Sequence, residues 1–184
     1  AANTIVYNGS LTYSANYDAM RYFLAEIYPR IRQQVPQISL TITGSLAGVD
    51  LSSLRLDGSV KLSGYVEDIR PLVARSAACV IPLRQGGGTR IKILEAMALG
   101  TPVISTSKGA EGLGVEDGEH LLLADEPEVF ASRTVKLLED NALRQRLASN
   151  ARGLVEETYD WQQIGETFVK LVEKVAESHD RDRS

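Results

Sequence analysis

Residues 82–106 read PLRQGGGTRIKILEAMALGTPVIST. An apolar run ends at Leu83, three glycines follow (Gly86, Gly87, Gly88), and a helical pattern over 89–99 leads into a second apolar run at 102–106. Strand, loop, helix, strand is the unit from which parallel sheets are built. The glycines let the backbone take positive φ and let a ligand approach with no Cβ in the way. Thr89 suits a helix N-cap, and the helix behind it offers unbonded N–H groups and a partial positive charge. Together these make an anion site of the kind phosphates use. Arg84, Arg90 and Lys92 add three cations to it. A plain strand-to-helix turn with solvated charges is the alternative. The loop is neither GxGxxG nor GxxxxGK followed by Ser or Thr, so dinucleotide and Walker-type readings are not supported.

The same alternation continues on both sides. Short apolar runs at 4–8 (TIVYN), 38–44 (ISLTITG), 59–64 (SVKLSG), 77–83 (AACVIPL), 102–106 and 120–124 (HLLLA) read as six strands. Between and after them lie amphipathic stretches. One covers 16–35, capped by Asn16 and interrupted by Pro29, which should kink or end it. A short helix is expected within 48–56, another at 66–76, and three helical segments follow the sixth strand. The fold class is therefore α/β: a Rossmann-like, doubly wound parallel sheet in the order 3-2-1-4-5-6, helices on both faces, and C-terminal helices. In that order a crevice opens between strands 1 and 4 at their carboxyl ends. The loops that meet there are GSLTYSAN (9–16) and RQGGGT (84–89).

The chain has 184 residues and the size of one large domain, with 1–178 read as that domain and 179–184 as a frayed polar tail. A net charge of −4 with no basic arm argues against a nucleic-acid partner. The single cysteine, Cys79, lies in an apolar run, where it reads as a buried strand thiol and not a disulfide partner. No apolar run approaches the roughly 18 residues that a membrane span requires, and no signal peptide is evident. The expected location is cytoplasmic. Position 1 is alanine and the first strand starts almost at once, as in a piece of a longer chain.

Candidate ligand contacts collect around the crevice. Gly9 and Ser10 end strand 1 and can supply a backbone or hydroxyl donor. On the helical wheel of 89–99, Ile91, Ile93, Leu94, Met97 and Ala98 form the apolar stripe, and Glu95 borders it. Its carboxylate should lean toward the helix N-terminus and can accept two hydrogen bonds from a diol. A surface pair with Lys92 at i, i+3 is the alternative. Gly64 and Tyr65 follow strand 3, where an aromatic ring can lie on a nucleobase or simply pack at the sheet edge. His120 and His179 have no ligand cluster around them in the sequence, so no metal is expected. Trp161 is expected to anchor the last helix by packing.

GGGTRIKILEAMALGTPVISTSKGAEGL, then DGEHLLLADEPEVFA and YDWQQIGETF, resemble the C-terminal half of a GT-B glycosyltransferase of the retaining group 1, or family 4, type. The resemblance covers essentially the whole chain. It implies a donor-binding domain that holds a nucleotide sugar for transfer to an acceptor such as a glycan or lipid-linked saccharide. It also implies an N-terminal acceptor domain lying elsewhere, no cofactor, and no strictly required metal. Any membrane contact would be peripheral and through that other half. Glu95 matches the second glutamate of the family's E-x7-E motif, a ribose contact. Gly87 stands where the first glutamate falls, and GSLTYSAN lacks the Arg and Lys that many members carry there for the diphosphate. Arg84, Arg90 and Lys92 are the expected substitutes, with the amides of Gly87, Gly88 and Thr89. A GT-B epimerase of nucleotide sugars and a non-catalytic nucleotide-binding module are the rival readings.

Overall fold

The computed structural model describes residues 3–88 and 90–181, with 175–181 described by their backbone alone. Six parallel strands run β1 (Thr4–Asn8), β2 (Ser39–Thr43), β3 (Val60–Gly64), β4 (Ala78–Ile81), β5 (Val103–Ser105) and β6 (Leu122–Leu123). They form one sheet in the order β3-β2-β1-β4-β5-β6, as expected. β1 and β4 are its centre: Ile5, Val6, Tyr7 and all four residues of β4 are fully buried. Helices on both faces make this possible, and such two-sided cover explains why these runs are continuously apolar.

The sheet opens where ligands bind in such folds. β1 follows β2 along its whole length, from Thr4↔Ser39 to Asn8↔Thr43. Its ladder with β4 registers only Ile5↔Ala78 and Val6↔Cys79. Tyr7 and Asn8 therefore stand beyond that ladder, at the reversal of strand order.

Helices α1 (Ser14–Tyr22) and α2 (Tyr28–Gln34) are joined by a π-helical turn, Phe23–Ile27. Pro29 has no N–H to give the carbonyl of Ala25, and its ring crowds that oxygen. The helix is wider by one residue per hydrogen-bonded turn over Phe23–Ile27. Arg55 Nη1 supplies a donor to the Ala25 oxygen at 3.4 Å. Phe23, Leu24 and Ile27 thereby stay buried.

Helix α5 (Pro127–Glu139) packs on this segment and on β4 and β5. Phe130 meets Phe23 edge-on, with ring centroids 5.9 Å apart. Helix α4 (Ile91–Ala98) lies between the sheet and α6 (Asn141–Thr158). Helix α3 (Arg70–Ala74) is short, and α7 (Trp161–Arg181) follows α6. Among the described residues no helix is long and apolar enough to cross a membrane.

Several local expectations need correction. The helix expected within 48–56 is a series of turns, because Gly48 takes positive φ and Asp50 bonds the amide of Ser52. Helix α1 begins at Ser14 with Tyr13 as its cap residue, and Asn16 lies buried in its first turn. On α4 the buried positions are Ile93, Ala96 and Met97, while Ile91 is 60% exposed at the crevice end and Ala98 also faces solvent. Trp161 is 85% exposed and so does not anchor the last helix by packing; among the described residues α7 makes a small contact with α6. Helix α7 continues through the expected tail as far as Arg181, and 182–184 lie outside the described residues.

Phe130→Ala should remove the keystone between α5 and the π-helical turn. The expected loss is about 3–5 kcal/mol of unfolding free energy, read as a lower urea midpoint.

Candidate functional site

Two adjacent residues at the end of β1 each receive one charged side chain from α4. Gly9 faces the ammonium of Lys92: a Cβ at that glycine would lie 2.6 Å from Nζ. Nζ donates to Asn16 Oδ1 at 2.8 Å and to Tyr7 Oη at 3.1 Å, and stands 4.6 Å from the Tyr7 ring centroid. Tyr7 in turn donates to Asn16 Oδ1 at 2.7 Å, and Asn16 Nδ2 donates to the carbonyl of Ser10 at 2.8 Å. Beside them Asn8 Nδ2 donates to Glu95 Oε2 at 3.3 Å. The i, i+3 pair that Lys92 and Glu95 could form on α4 gives way to these two contacts.

All hydrogen-bond partners of Lys92 here are neutral oxygens. Burial pulls its pKa down to about 8, with a smaller push from Arg90, while Cys79 and Glu95 act the other way. A half-buried ammonium with no counter-ion bonded to it among the described residues is a cation preorganised for an anion. A cavity of about 190 Å³ adjoins it, lined by Tyr13, Asn16, Gln85, Gly87, Arg90 and Ile91 among others.

The glycine loop is held by Arg90, which is 7% exposed. Its guanidinium donates to the carbonyls of Gly86 (3.0 Å), Gly87 (3.2 Å) and Lys108 (3.1 Å), tying the loop to the segment after β5. Gly86 and Gly88 use the positive φ that only glycine takes freely, +102° and +85°. A Cβ on Gly87 would enter open space. At the start of α4 the amides of Ile93 and Leu94 both bond Arg90 O, at 2.9 and 3.4 Å, and the N–H groups of Ile91 and Lys92 lie in the first turn, ahead of those bonds.

Residues 2–140 match the model of the family described as Glycosyl transferases group 1. The chain belongs to that family. It is 29% identical over 165 residues to a phosphatidyl-myo-inositol mannosyltransferase of Mycobacterium tuberculosis, covering 84% of this chain and 43% of that protein. It is likewise 29% identical over 123 residues to the lipopolysaccharide core biosynthesis glycosyltransferase LpsE of Rhizobium meliloti, covering 66% and 36%. The chain thus spans less than half the length of these relatives. Among solved structures, Anabaena Alr3699/HepE in complex with UDP and glucose superposes with a TM-score of 0.74 at 23% identity, over 91% of this chain and 48% of that one. The C-terminal domain of a glycosyl transferase group 1 family protein (LpcC) from Francisella tularensis does so at 0.66 and 20%, over 86% of both. These structural likenesses show the shared fold.

Within this group 1 domain the expected site residues divide. Gly9, Gly87, Arg90, Lys92 and Glu95 come together around the crevice. Thr89 lies outside the described residues, and Gly88 continues the loop.

Arg84 does not join them. It pairs with Asp18 through two nitrogens, at 2.8 and 3.2 Å, and lies over the Tyr22 ring at 4.3 Å. A carboxylate and an aromatic face on α1 hold it outside the crevice.

The N–H of Gly9 is spent on Thr43 O (3.1 Å), and the Ser10 hydroxyl bonds Ser45 O (3.1 Å) and Thr12. Both expected donors thus tie the loop to the end of β2. Gly64 accepts from Gly44 N at 2.9 Å, two strands from Lys92, and Tyr65 is 80% exposed. The sequence reading took Tyr7 and Asn8 only as the end of strand 1 and Asn16 only as a helix cap, and missed their place in the site. The one signal was two polar residues closing an otherwise apolar strand just before a glycine.

The depressed pKa of Lys92 sets the sign of a stability effect. Between about 8 and its ordinary 10.5 the unfolded chain alone keeps the proton, so this group makes stability rise with pH. Below about 8 the folded state carries the full cost of the buried charge. Lys92→Met should therefore be more stable than the parent at pH 7, and the gap should narrow toward pH 10. Urea unfolding of both proteins at the two pH values checks this.

Proposed function

We propose that this domain binds the nucleoside-diphosphate part of a nucleotide-sugar donor for a retaining glycosyltransferase, with the diphosphate on Lys92 and the ribose diol on Glu95. The observation that carries the reading is the Lys92 ammonium, partly desolvated against Gly9 at the end of β1 and bonded, among the described residues, to the neutral Tyr7 and Asn16. It stands on the strand end where the usual basic pair is missing. The amides of Ile91, Lys92 and the glycine loop, with Gly87 open to a ligand, complete the anion cradle.

The chemistry that follows is leaving-group stabilisation. As the bond from the sugar to the diphosphate breaks, negative charge grows on the phosphate oxygens. A preorganised cation and helix amides meet that charge without reorganising. These groups fill the role a metal would otherwise take, and the reaction is proposed to need none. Arg90 supports the site by shaping the loop, and Tyr65 is proposed to lie along the base. The names of the relatives support a sugar-transfer reaction onto a lipid-linked or polysaccharide acceptor. UDP and glucose in the Anabaena protein support a nucleotide sugar as donor.

The acceptor side is assigned to a further domain of the full protein. The apolar face of α7, with Phe168, Leu171 and Val172 each at least half exposed, is proposed to pack on it. Transfer should therefore require both halves. The full protein is proposed to work in the cytoplasm, with any membrane contact made through that other half.

Titration with UDP, GDP and ADP tests the donor role. Lys92→Met and Glu95→Ala should each weaken the nucleotide that binds by one to two orders of magnitude, about 1.5–3 kcal/mol for a charged hydrogen-bonding partner. Arg84→Ala should leave it unchanged. Affinity of the parent should fall as pH rises through about 8, where free Lys92 loses its proton, and Lys92→Met should lack that slope. Equal binding by parent and Lys92→Met would return the loop to a plain turn.

A further inference from the structure

We infer that Asn8 is a positioning residue that sets the Glu95 carboxylate for a pair of ribose hydroxyls; the inference rests on the ribose reading of Glu95. Asn8 ends an apolar strand and is only 4% exposed. A primary amide in such a place costs free energy unless its groups are bonded, and a β-branched apolar residue would fit the strand better. Its oxygen accepts only the weak S–H of Cys79, at 3.5 Å. Its nitrogen donates to Glu95 Oε2 at 3.3 Å.

The two contacts fix which way the amide faces. A thiol can donate and a carboxylate can only accept, so Oδ1 belongs toward Cys79 and Nδ2 toward Glu95. Cys79 is fully buried in β4 and cannot move aside. The donor edge of Asn8 is therefore locked toward α4.

Glu95 is exposed, and its side chain has freely rotating bonds that would otherwise let it swing to Lys92 one turn earlier on the same helix. Tying Oε2 to Asn8 keeps the carboxylate beside the strand end. Oε1 and the second lone pair of Oε2 are left for two hydroxyl donors. That matches a vicinal diol, which presents two such donors side by side. A monohydroxyl or deoxy sugar would use only part of it. The same bond keeps Glu95 from forming a direct ion pair with Lys92, so the diol and diphosphate functions stay separate.

The test compares UDP, GDP and ADP, each with its 2′,3′-dideoxy form, on the parent, Asn8→Ala, Asn8→Leu, Glu95→Ala and the double variant Asn8→Ala/Glu95→Ala. For the nucleotide that binds, the parent should prefer the ribose form by roughly 10- to 100-fold. Asn8→Ala should lower that preference by about tenfold while leaving the dideoxy form's affinity unchanged, a split that general loosening of the fold would not produce. Asn8→Leu, with the same branching and number of side-chain heavy atoms but no donor, should lose the preference too. In the Glu95→Ala background Asn8→Ala should add nothing. If Glu95→Ala abolishes the preference and Asn8→Ala and Asn8→Leu keep it, the positioning role is overturned and the ribose contact stands. If Glu95→Ala keeps the preference, or the parent has none, both are overturned.

Discussion

The missing Cβ of Gly9 is the constraint on which the crevice depends. Only a glycine lets an ammonium from α4 come within 2.6 Å of where that Cβ would be, and so lets Lys92 lie across the end of the central strand. The approach removes water from the charge, and neutral oxygens from Tyr7 and Asn16 replace it. It also recruits side chains that would otherwise do something else. Asn16 turns inward to Lys92 and to the Ser10 carbonyl, and the start of α1 is left to Tyr13. One close contact thus couples β1, α1 and α4.

The three cations of the glycine loop have three different fates, although they lie within nine residues. Arg84 is outside, bound to Asp18 and Tyr22. Arg90 is a buried clamp whose donors are spent mainly on backbone carbonyls, which suits the planar fork of a guanidinium. Lys92 alone combines burial with a lack of bonded counter-charge. Counting positive residues therefore overstates the charge available to an anion, because partners decide it. Glu111, 3.8 Å from Arg90, removes part of that charge as well.

Sheet order and the place of the crevice were legible because they follow from coarse features: apolar runs, glycines at their ends, and the alternation of strands with helices that builds a doubly wound sheet. Glu95 was legible from its place beside the apolar stripe of a helix. What could not be read was the rotation of individual side chains at element ends. Asn16 looked like a cap because capping residues and residues buried in a first turn share the same chemistry. The stripe on α4 shifted because α6 covers one flank and the crevice leaves Ile91 bare. Trp161 looked like an anchor by size alone, yet burial needs a partner surface, and α7 has little of one here. Pro29 announced a break, but not that a π-helical turn and Arg55 would absorb it.

Under the proposed function, the stability that the resting domain gives up in burying Lys92 is what makes the site selective for a developing charge. An exposed lysine would lose its water shell only when the ligand arrived, offsetting much of the attraction. Here the desolvation has already been met by folding, so an added phosphate oxygen interacts at low local dielectric. The interaction strengthens as the charge on that oxygen grows, which favours the state with the sugar bond broken over the intact donor. Glu95 adds no such gradient, because a ribose diol keeps its charge throughout the reaction. Under the proposed function the two neighbours on α4 therefore divide the work: Glu95 fixes where the donor sits, and Lys92 supplies the part of the binding energy that appears only as the diphosphate departs.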